Sequence, residues 1–270
     1  MLSISTLQIT SISKKMEIGP LKEGYKVQVR QPTNDIIPSI PFRMLCLSPS
    51  SGGKTNLLVT LLTDARFYRG LFSKIYWCSP TAKVDSSLDV LRKYCEDVLD
   101  QNQEEDPTFH ESIDVEFLQS RVERQKRMTE YLKKTKSQKG FSICIVLDDL
   151  ADVKRGLPAI SKFVDGLFVK GRHFNVSVVL STQKLKLPLI SPTVRVNCTA
   201  VLAGRLRNQS DLLEGLIYEY SALVSKEKLY AAYQQAVSIP YNFFYINLLA
   251  KDVDNMFYSG FTKRFKMTAT

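Results

Sequence analysis

The chain has 270 residues, of which 44% are hydrophobic and 24% charged, and it carries a net charge of +10. These values are ordinary for a soluble globular protein and fit one large α/β domain better than two small ones. They argue against a membrane or secreted protein, because no apolar run approaches bilayer length and the N-terminus lacks the pattern of a secretory signal. The positive charge favours an anionic partner.

The chain is expected to begin with an N-terminal entry segment over residues 1–40. An alternating run at residues 25–30 predicts one strand there, and Pro32, Pro38 and Pro41 mark the connection that follows it. The remainder of the chain is predicted to form a single large domain.

That domain opens with an apolar run at residues 42–47, followed by S-P-S-S-G-G-K-T at residues 48–55 and a helical pattern from Asn56. A strand, a phosphate-sized loop and a helix start that ends in Lys-Thr form the Walker A pattern. We therefore assign residues 41–270 to a P-loop ATPase domain.

Main-chain N–H groups at a helix N-terminus can wrap a triphosphate. Lys54 would then reach the outer phosphates, and the Thr55 hydroxyl would hold Mg²⁺. The usual first glycine of the motif is Ser48, which lacks the φ freedom of glycine; a serine- and glycine-rich turn without a ligand is therefore the alternative. The residues predicted to bind ATP are Ser50, Ser51, Gly52, Gly53, Lys54, Thr55 and Asn56.

The middle of the chain predicts further α/β elements. A strand is expected at residues 74–79, a helix over residues 86–99 and a long amphipathic helix over residues 115–134. Acidic residues dominate positions 96–106 and basic residues positions 121–139. We interpret both charged stretches as solvated surfaces.

Residues 141–149 form an apolar run that ends in Asp148 and Asp149. Continuous apolar character is typical of a strand that is covered on both faces of a parallel sheet. Phosphoryl transfer needs a magnesium ion near the β- and γ-phosphates and a group that orients the attacking water. We assign Asp148 to the metal and Asp149 to the water. The alternative is a strand that simply ends in an aspartate turn. The presence of the Lys54–Thr55 loop at the right order and distance in the chain makes this alternative weaker.

A helix is predicted from Pro158 to near Gly171, and a strand over residues 175–183 ends in Gln183. Gln183 could sense the γ-phosphate through one hydrogen bond. Arg172 precedes this strand and has two open interpretations. It could enter a neighbouring subunit's active site, where such arginines raise rates roughly 10³- to 10⁵-fold, or it could be a cation at a helix C-terminus.

Residues 170–207 hold seven Lys or Arg and no Asp or Glu. Contacts to a phosphate backbone need positive charge but no fixed pattern. Each such residue taken singly is more often a solvated surface residue. The candidate DNA contacts are Lys184, Lys186, Arg195, Arg205 and Arg207.

The C-terminal part predicts a strand at residues 199–203 and two helices within residues 209–237. An aromatic strand is expected at residues 241–248, in a hairpin with residues 256–261. Alternating strands and helices imply an α/β sheet with its ligands at the carboxyl ends of the strands.

The five cysteines lie far apart, four of them in apolar runs, and predict reduced, buried thiols.

Taken together, the Walker A loop, the Asp148–Asp149 strand and G-R-H-F-N-V-S-V-V-L-S-T-Q at residues 171–183 resemble the viral DNA-packaging ATPases of the FtsK–HerA superfamily. P-F-R-M at residues 41–44 and S-P-T at residues 79–81 are similar as well. The likeness covers about residues 41–260, most of the chain.

The resemblance implies a RecA-like P-loop NTPase core, in which a mainly parallel sheet is flanked by helices and followed by a C-terminal β-hairpin. The strand of Gln183 should lie between those of Leu45 and Val146. ATP and Mg²⁺ are the implied cofactors. Residue by residue, Lys54, Asp149 and Gln183 match catalytic positions, Thr55 and Asp148 match the metal ligands, and Arg172 matches the finger that acts on a neighbouring subunit.

The resemblance also implies partners. A homo-oligomeric ring, commonly a hexamer or pentamer, would sit with capsid proteins at a capsid vertex and move double-stranded DNA inward. No membrane partner is expected. The implied location is the host cytoplasm or virus factory, and the protein could also associate with the virion.

Two other functions remain open from the sequence. A nucleoside or nucleotide kinase also uses a Walker A loop, but it needs an arginine-bearing lid and a pocket for the acceptor. A non-catalytic module that binds nucleotide or capsid is the other, and it would make Ser48 a sign of lost function. The intact Lys54, Thr55, Asp148 and Asp149 argue against the second.

Overall fold

The computed structural model describes residues 25–149, 156–185 and 190–268. Within them, the strands in chain order are β1 Arg43–Leu47, β2 Lys74–Cys78, β3 Phe109–His110, β4 Ile143–Asp148, β5 Val176–Thr182, β6 Ala200–Ala203, β7 Phe244–Asn247, β8 Phe257–Ser259 and β9 Lys263–Arg264.

The α-helices of the described residues are α1 Lys54–Thr63, α2 Asp89–Asp97, α3 Val115–Lys134, α4 Leu157–Lys170, α5 Pro192–Asn197, α6 Tyr218–Tyr220 and α7 Lys226–Ala236. Short 3₁₀ turns cover Ser86–Leu88, Gly171–Phe174 and Val253–Asn255. A π-helical segment, Ser210–Ile217, runs directly into α6.

All of these strands belong to one sheet, in the order β3-β2-β4-β5-β1-β6-β7-β8-β9. The pairs from β3 to β6 are parallel, and those from β6 to β9 are antiparallel. The predicted α/β class with a C-terminal hairpin is confirmed. So is the strand order that the resemblance implies, because β5 lies between β1 and β4. The loop after β1 and the acids at the end of β4 therefore reach the same sheet edge, on either side of the tip of β5.

The core strands read as apolar runs because helices cover both faces of the sheet. Side chains alternate across a strand, so Met44 and Cys46 of β1 pack on the face that α1 and α2 cover, with Leu58 and Leu91. Leu45 of the same strand packs on the opposite face, in the buried cluster that also holds residues of α4 and α7. This double cover holds the sheet edge that carries the candidate site.

Several helix boundaries follow from local chemistry. Helix α3 spans residues 115–134, as predicted, and begins where Asp114 Oδ1 accepts the N–H of Phe117 at 2.9 Å. Helix α4 carries Pro158 in its first turn and ends at Lys170, again as predicted. The expected helix over residues 86–99 is instead a 3₁₀ turn, capped by Asp85, that leads into the shorter α2.

The strand predicted at residues 25–30 is wrong. This segment is irregular and joins the fold through a hydrogen bond from the Gly140 N–H to the Gln28 carbonyl at 2.9 Å. The alternation of polar and apolar residues could not reveal that this segment lacks the backbone hydrogen bonds that pair a strand with its neighbour. The residues after it pack on the core, where Tyr68 and Tyr245 donate hydroxyl hydrogen bonds to the carbonyls of Pro38 and Ile36.

All five cysteines are free and buried, as predicted. Burial raises the pKa of the Cys46 thiol to about 12, so this thiol is protonated at neutral pH.

Within the described ranges, every helix is too short or too polar to cross a bilayer.

Candidate nucleotide and magnesium site

The loop between β1 and α1 has the backbone of an anion-binding turn. Ser51 and Gly53 adopt left-handed conformations, with φ of 59° and 81°. The Gly52 N–H donates to the Pro49 carbonyl at 3.1 Å, and α1 begins at Lys54 with the Leu57 N–H on the Gly53 carbonyl at 3.0 Å. Left-handed residues before a helix start turn successive N–H groups into one concave face, which suits a phosphate.

The first residue of the motif, Ser48, is not among the residues with positive φ. Its side chain instead fills the space between two glycines. A methyl group on Gly52 would lie 2.1 Å from Ser48 Oγ, and one on Gly204 would lie 2.5 Å from the same atom. The loop therefore does not need glycine's φ freedom at this position, and it uses the hydroxymethyl group for packing.

Lys54 is buried, with 8% of its surface exposed. Its ammonium donates hydrogen bonds to the main-chain oxygens of Ser48 at 2.9 Å and Pro49 at 3.3 Å. These bonds place the positive charge inside the curve of the loop. The expected contact of Lys54 with the outer phosphates is compatible with this position.

The acidic pair occupies the end of β4. Asp148 is 4% exposed, and its Oδ1 is buried without a hydrogen-bond partner among the described residues. Burial raises the pKa of the Asp148 carboxyl above its usual range, although the neighbouring Ser181 hydroxyl and the Lys54 charge oppose that shift. A buried carboxylate oxygen with no partner is suited to bind a cation.

Asp149 leaves the strand in a left-handed conformation, with φ of 52°. Its N–H still donates to the Ser181 carbonyl of β5 at 3.0 Å. Its Oδ1 accepts a hydrogen bond from Gln183 Nε2 at 2.9 Å. The structure thus joins two residues that the sequence separates by a helix and a strand.

The loop and the acidic pair face one cavity of about 480 Å³, which Gln183 does not line. All seven loop residues predicted to bind ATP line it, together with Asp148 and Asp149. Sequence analysis missed four further lining residues. Three of them, Thr81, Asp85 and Ser87, follow β2 and could have been found because β2 ends at the same sheet edge. The fourth, Tyr241, lay inside a predicted strand and gave no signal.

The donor set fits a magnesium ion. Mg²⁺ prefers oxygen ligands and binds through one or two protein groups plus phosphates. The hydroxyl-bearing Thr55 and the carboxylate of Asp148 line the same cavity, and Asp148 Oδ1 has no competing bond among the described residues. These two residues would hold the ion.

Arg172 lies elsewhere. It precedes β5, whereas the acids lie at the end of β4. Because the two strands are parallel, Arg172 sits at the opposite sheet edge. Its side chain is exposed, and its Nε donates to His173 Nε2 at 3.4 Å. Arg172 is therefore not part of the cavity in its own chain.

The candidate DNA contacts fall into different groups. Arg195 donates from Nη1 to the Ile190 carbonyl at 2.9 Å and pairs with Glu219 at 3.4 Å. Arg205 donates from Nη2 to the Val237 carbonyl at 2.9 Å. Both side chains thus have structural contacts within the chain.

Lys184 and Arg207 are exposed. Lys186 lies outside the described residues. For this whole basic set, DNA contact stays a prediction.

Residues 33–233 match a protein-family model described as "Poxvirus A32 protein". No curated protein sequence matches the chain.

Among solved structures, the pCW3 conjugation coupling protein TcpA, in its monomer form with ATPγS, is 13% identical. The match covers 91% of this chain and 67% of TcpA, with a TM-score of 0.51. This likeness shows the fold.

Two further structures are more distant. The genome packaging NTPase B204 from Sulfolobus turreted icosahedral virus 2, in complex with AMP, is 12% identical over 77% of this chain and 92% of its own, with a TM-score of 0.44. The cytoplasmic domain of the Thermomonospora curvata type VII secretion ATPase EccC is 15% identical over 86% of this chain, with a TM-score of 0.48. The chain spans only 26% of that EccC chain and 40% of an EssC chain from Geobacillus thermodenitrificans.

Proposed function

Because the chain belongs to the poxvirus A32 protein family, we propose that it hydrolyses ATP to move double-stranded DNA into a viral capsid. The observation that carries the ATPase part is the shared cavity, in which Lys54, Asp148 and Asp149 face one space at the edge of a parallel sheet. A phosphate loop opposite paired acids is the arrangement that P-loop ATPases use.

In this mechanism the loop amides and Lys54 hold the β- and γ-phosphates. Thr55 and Asp148 would hold Mg²⁺, which would offset the charge of the phosphates. Asp149 accepts a proton from the attacking water at a carboxylate oxygen. Gln183 fixes the direction of that carboxylate through its 2.9 Å hydrogen bond. An Asp149 carboxylate that Gln183 orients fits the activation of water better than phosphoryl transfer to a bound acceptor. We therefore favour hydrolysis over a kinase reaction.

The ring is part of the same proposal. Arg172 is exposed at the sheet edge opposite the cavity, so it can act on a nucleotide only in a neighbouring subunit. A closed homo-oligomer, a hexamer or pentamer, would bring each Arg172 to the next site. We place this assembly with capsid proteins, in the host cytoplasm or virus factory or on the virion.

The test is ATP turnover by the full chain with and without double-stranded DNA. We expect DNA to stimulate phosphate release without forming any phosphorylated acceptor. Lys54→Ala should abolish turnover, and Lys134→Ala, an exposed lysine of α3 outside the cavity, should leave it unchanged. When ATP and DNA are added, the particle mass should rise from that of a monomer to that of a hexamer or pentamer. A chain that stays monomeric, or that transfers phosphate to a nucleoside, would overturn the proposal.

A further inference from the structure

We propose that Tyr241 is the base-binding residue of this site and stacks its ring on the nucleobase of the bound nucleotide. The inference rests on the proposed function and adds the part of the site that the phosphate loop and acids leave unassigned.

Tyr241 reaches the cavity from a distant part of the chain. It is 80% exposed, yet it lines the same space as Lys54 and Asp149. Its ring lies against the phosphate loop, since a methyl group on Gly53 would be 3.2 Å from Tyr241 Cδ1. A large aromatic side chain is therefore held beside the loop with most of its surface available to a ligand.

The backbone at this position is unusual. Tyr241 has a φ of 60°, a conformation that is rare for a bulky residue. Neighbouring contacts hold the turn: the Asn242 side chain donates to the Ala236 carbonyl and to Ser259 Oγ, each at 2.8 Å. Bonds to the end of α7 and to β8 thus fix a conformation that the tyrosine itself disfavours. Such strain clusters at functional sites, and here it positions a ring that contributes little to the core.

The chemistry of the cavity leaves one role for this ring. The other lining residues are serines, threonines, glycines, a lysine, an asparagine and aspartates, which suit phosphates and a cation. Tyr241 is the one aromatic residue among the described lining residues. A nucleobase offers a flat π-face, and stacking on an aromatic side chain is its usual apolar contact in proteins.

The strand order gives the nucleotide a direction. The acids lie at the end of β4, the phosphate loop follows β1, and Tyr241 precedes β7, in the strand order β4-β5-β1-β6-β7. The loop therefore lies between the acids and Tyr241. A triphosphate whose γ-phosphate is at Asp149 would extend across the loop and bring its base to the Tyr241 side.

The first experiment compares MgATP with magnesium tripolyphosphate, which has the phosphates but no base. Calorimetric binding is measured for the parent, Tyr241→Ala, Tyr241→Phe and the control Tyr131→Ala, which removes a tyrosine that is 63% exposed on α3. Tyr241→Ala should weaken MgATP about tenfold and leave tripolyphosphate unchanged. Tyr241→Phe and Tyr131→Ala should match the parent, since Phe keeps the ring.

A second readout does not depend on affinity. Trp77 is the only tryptophan and is fully buried, so Tyr241→Trp adds an exposed reporter. MgATP should quench its fluorescence, and magnesium tripolyphosphate should not.

The outcomes separate this inference from the proposed function. If the parent binds MgATP and Tyr241→Ala binds it equally well, the stacking role is wrong. Equal weakening of MgATP and tripolyphosphate would also overturn it, because Tyr241 would then act through the phosphate loop. A parent that binds neither compound would overturn the proposed function, and the inference with it.

Discussion

The side-chain amide of Gln183 donates a hydrogen bond to Asp149 Oδ1 at 2.9 Å, and this bond joins the tips of β5 and β4. Gln183→Ala should free the Asp149 carboxylate to rotate. We expect kcat for ATP hydrolysis to fall about 10- to 100-fold, since small misplacements of a reacting group cost rates of this order. The dissociation constant for ATP should not change, because Gln183 does not line the cavity. Steady-state turnover and equilibrium binding, measured side by side, check this split. Parallel losses in both would show that Gln183 supports the fold instead.

Asp148 gives a prediction in which stability and activity move in opposite directions. Its pKa is raised by burial, so the folded state favours the protonated form. That contribution to the free energy of unfolding is present below the usual aspartate pKa of about 3.9 and is lost as pH rises through the folded pKa. At pH 7 without Mg²⁺, burial of the Asp148 carboxyl therefore lowers the free energy of unfolding.

Asp148→Asn should accordingly raise the melting temperature at pH 7 by about 2 °C, and the gain should disappear at pH 3. The same variant should lose Mg²⁺-dependent hydrolysis. Thermal unfolding across this pH range, without divalent metal, is the measurement. A variant that is less stable than the parent at pH 7 would show that Ser181 and Lys54 stabilise the ionised carboxylate by more than burial destabilises it.

Ser48 and Gly204 are predicted to be coupled through packing. A methyl group on Gly204 would lie 2.5 Å from Ser48 Oγ and 2.9 Å from Ser48 Cβ, whereas the next neighbour, the Leu47 carbonyl oxygen, is 3.7 Å away. Gly204→Ala should therefore destabilise the fold by about 1–3 kcal/mol. Adding Ser48→Gly should remove most of that cost.

Gly52 supplies the matched control. A methyl group there would lie 2.1 Å from Ser48 Oγ but also 2.9 Å from the backbone oxygen of Pro49. Ser48→Gly should therefore not rescue Gly52→Ala. Denaturant unfolding of the single and double variants gives both coupling energies. Additive effects of Ser48→Gly and Gly204→Ala would contradict the packing argument.

Arg172 should act only between subunits. Arg172→Ala and Lys54→Ala should each lower turnover strongly, and loss of an arginine finger costs roughly 10³- to 10⁵-fold. Mixing the two variants should restore part of the activity, because some interfaces then combine an intact phosphate loop with an intact arginine. Turnover at several mixing ratios tests this, with each variant mixed with itself as the control. A mixture as inactive as its components would argue against a trans-acting arginine.

Lys184 and Arg207 should respond differently to substitution from Arg205, which is also exposed but is anchored by hydrogen bonds. Lys184→Ala and Arg207→Ala should leave stability unchanged and lower the salt dependence of DNA binding by about one unit in log–log slope for each lost phosphate contact. Arg205→Ala should instead cost about 1 kcal/mol of stability, because it removes hydrogen bonds to the Val237 carbonyl. DNA titrations at several salt concentrations, with thermal melts, distinguish the two outcomes. An unchanged slope in both surface variants would exclude them from the DNA interface.

The sequence by itself determined those elements that depend on residues close together in the chain. The Walker A loop, the apolar run before Asp148 and the 3.6-residue period of α3 each depend on contacts within a few positions, so their elements could be read in order. The strand order was also available, but only through the resemblance. Periodicity does not state which strands pair.

The tertiary structure decided how distant residues meet. It brings Gln183 to Asp149, packs Ser48 between Gly52 and Gly204, and turns Tyr241 out of its predicted strand toward the phosphate loop. These contacts depend on the pairing of β5 with β4, of β1 with β6 and of β7 with β6. The free energy that fixes such positions comes from burying both faces of the sheet, a property of the whole chain that no local pattern contains.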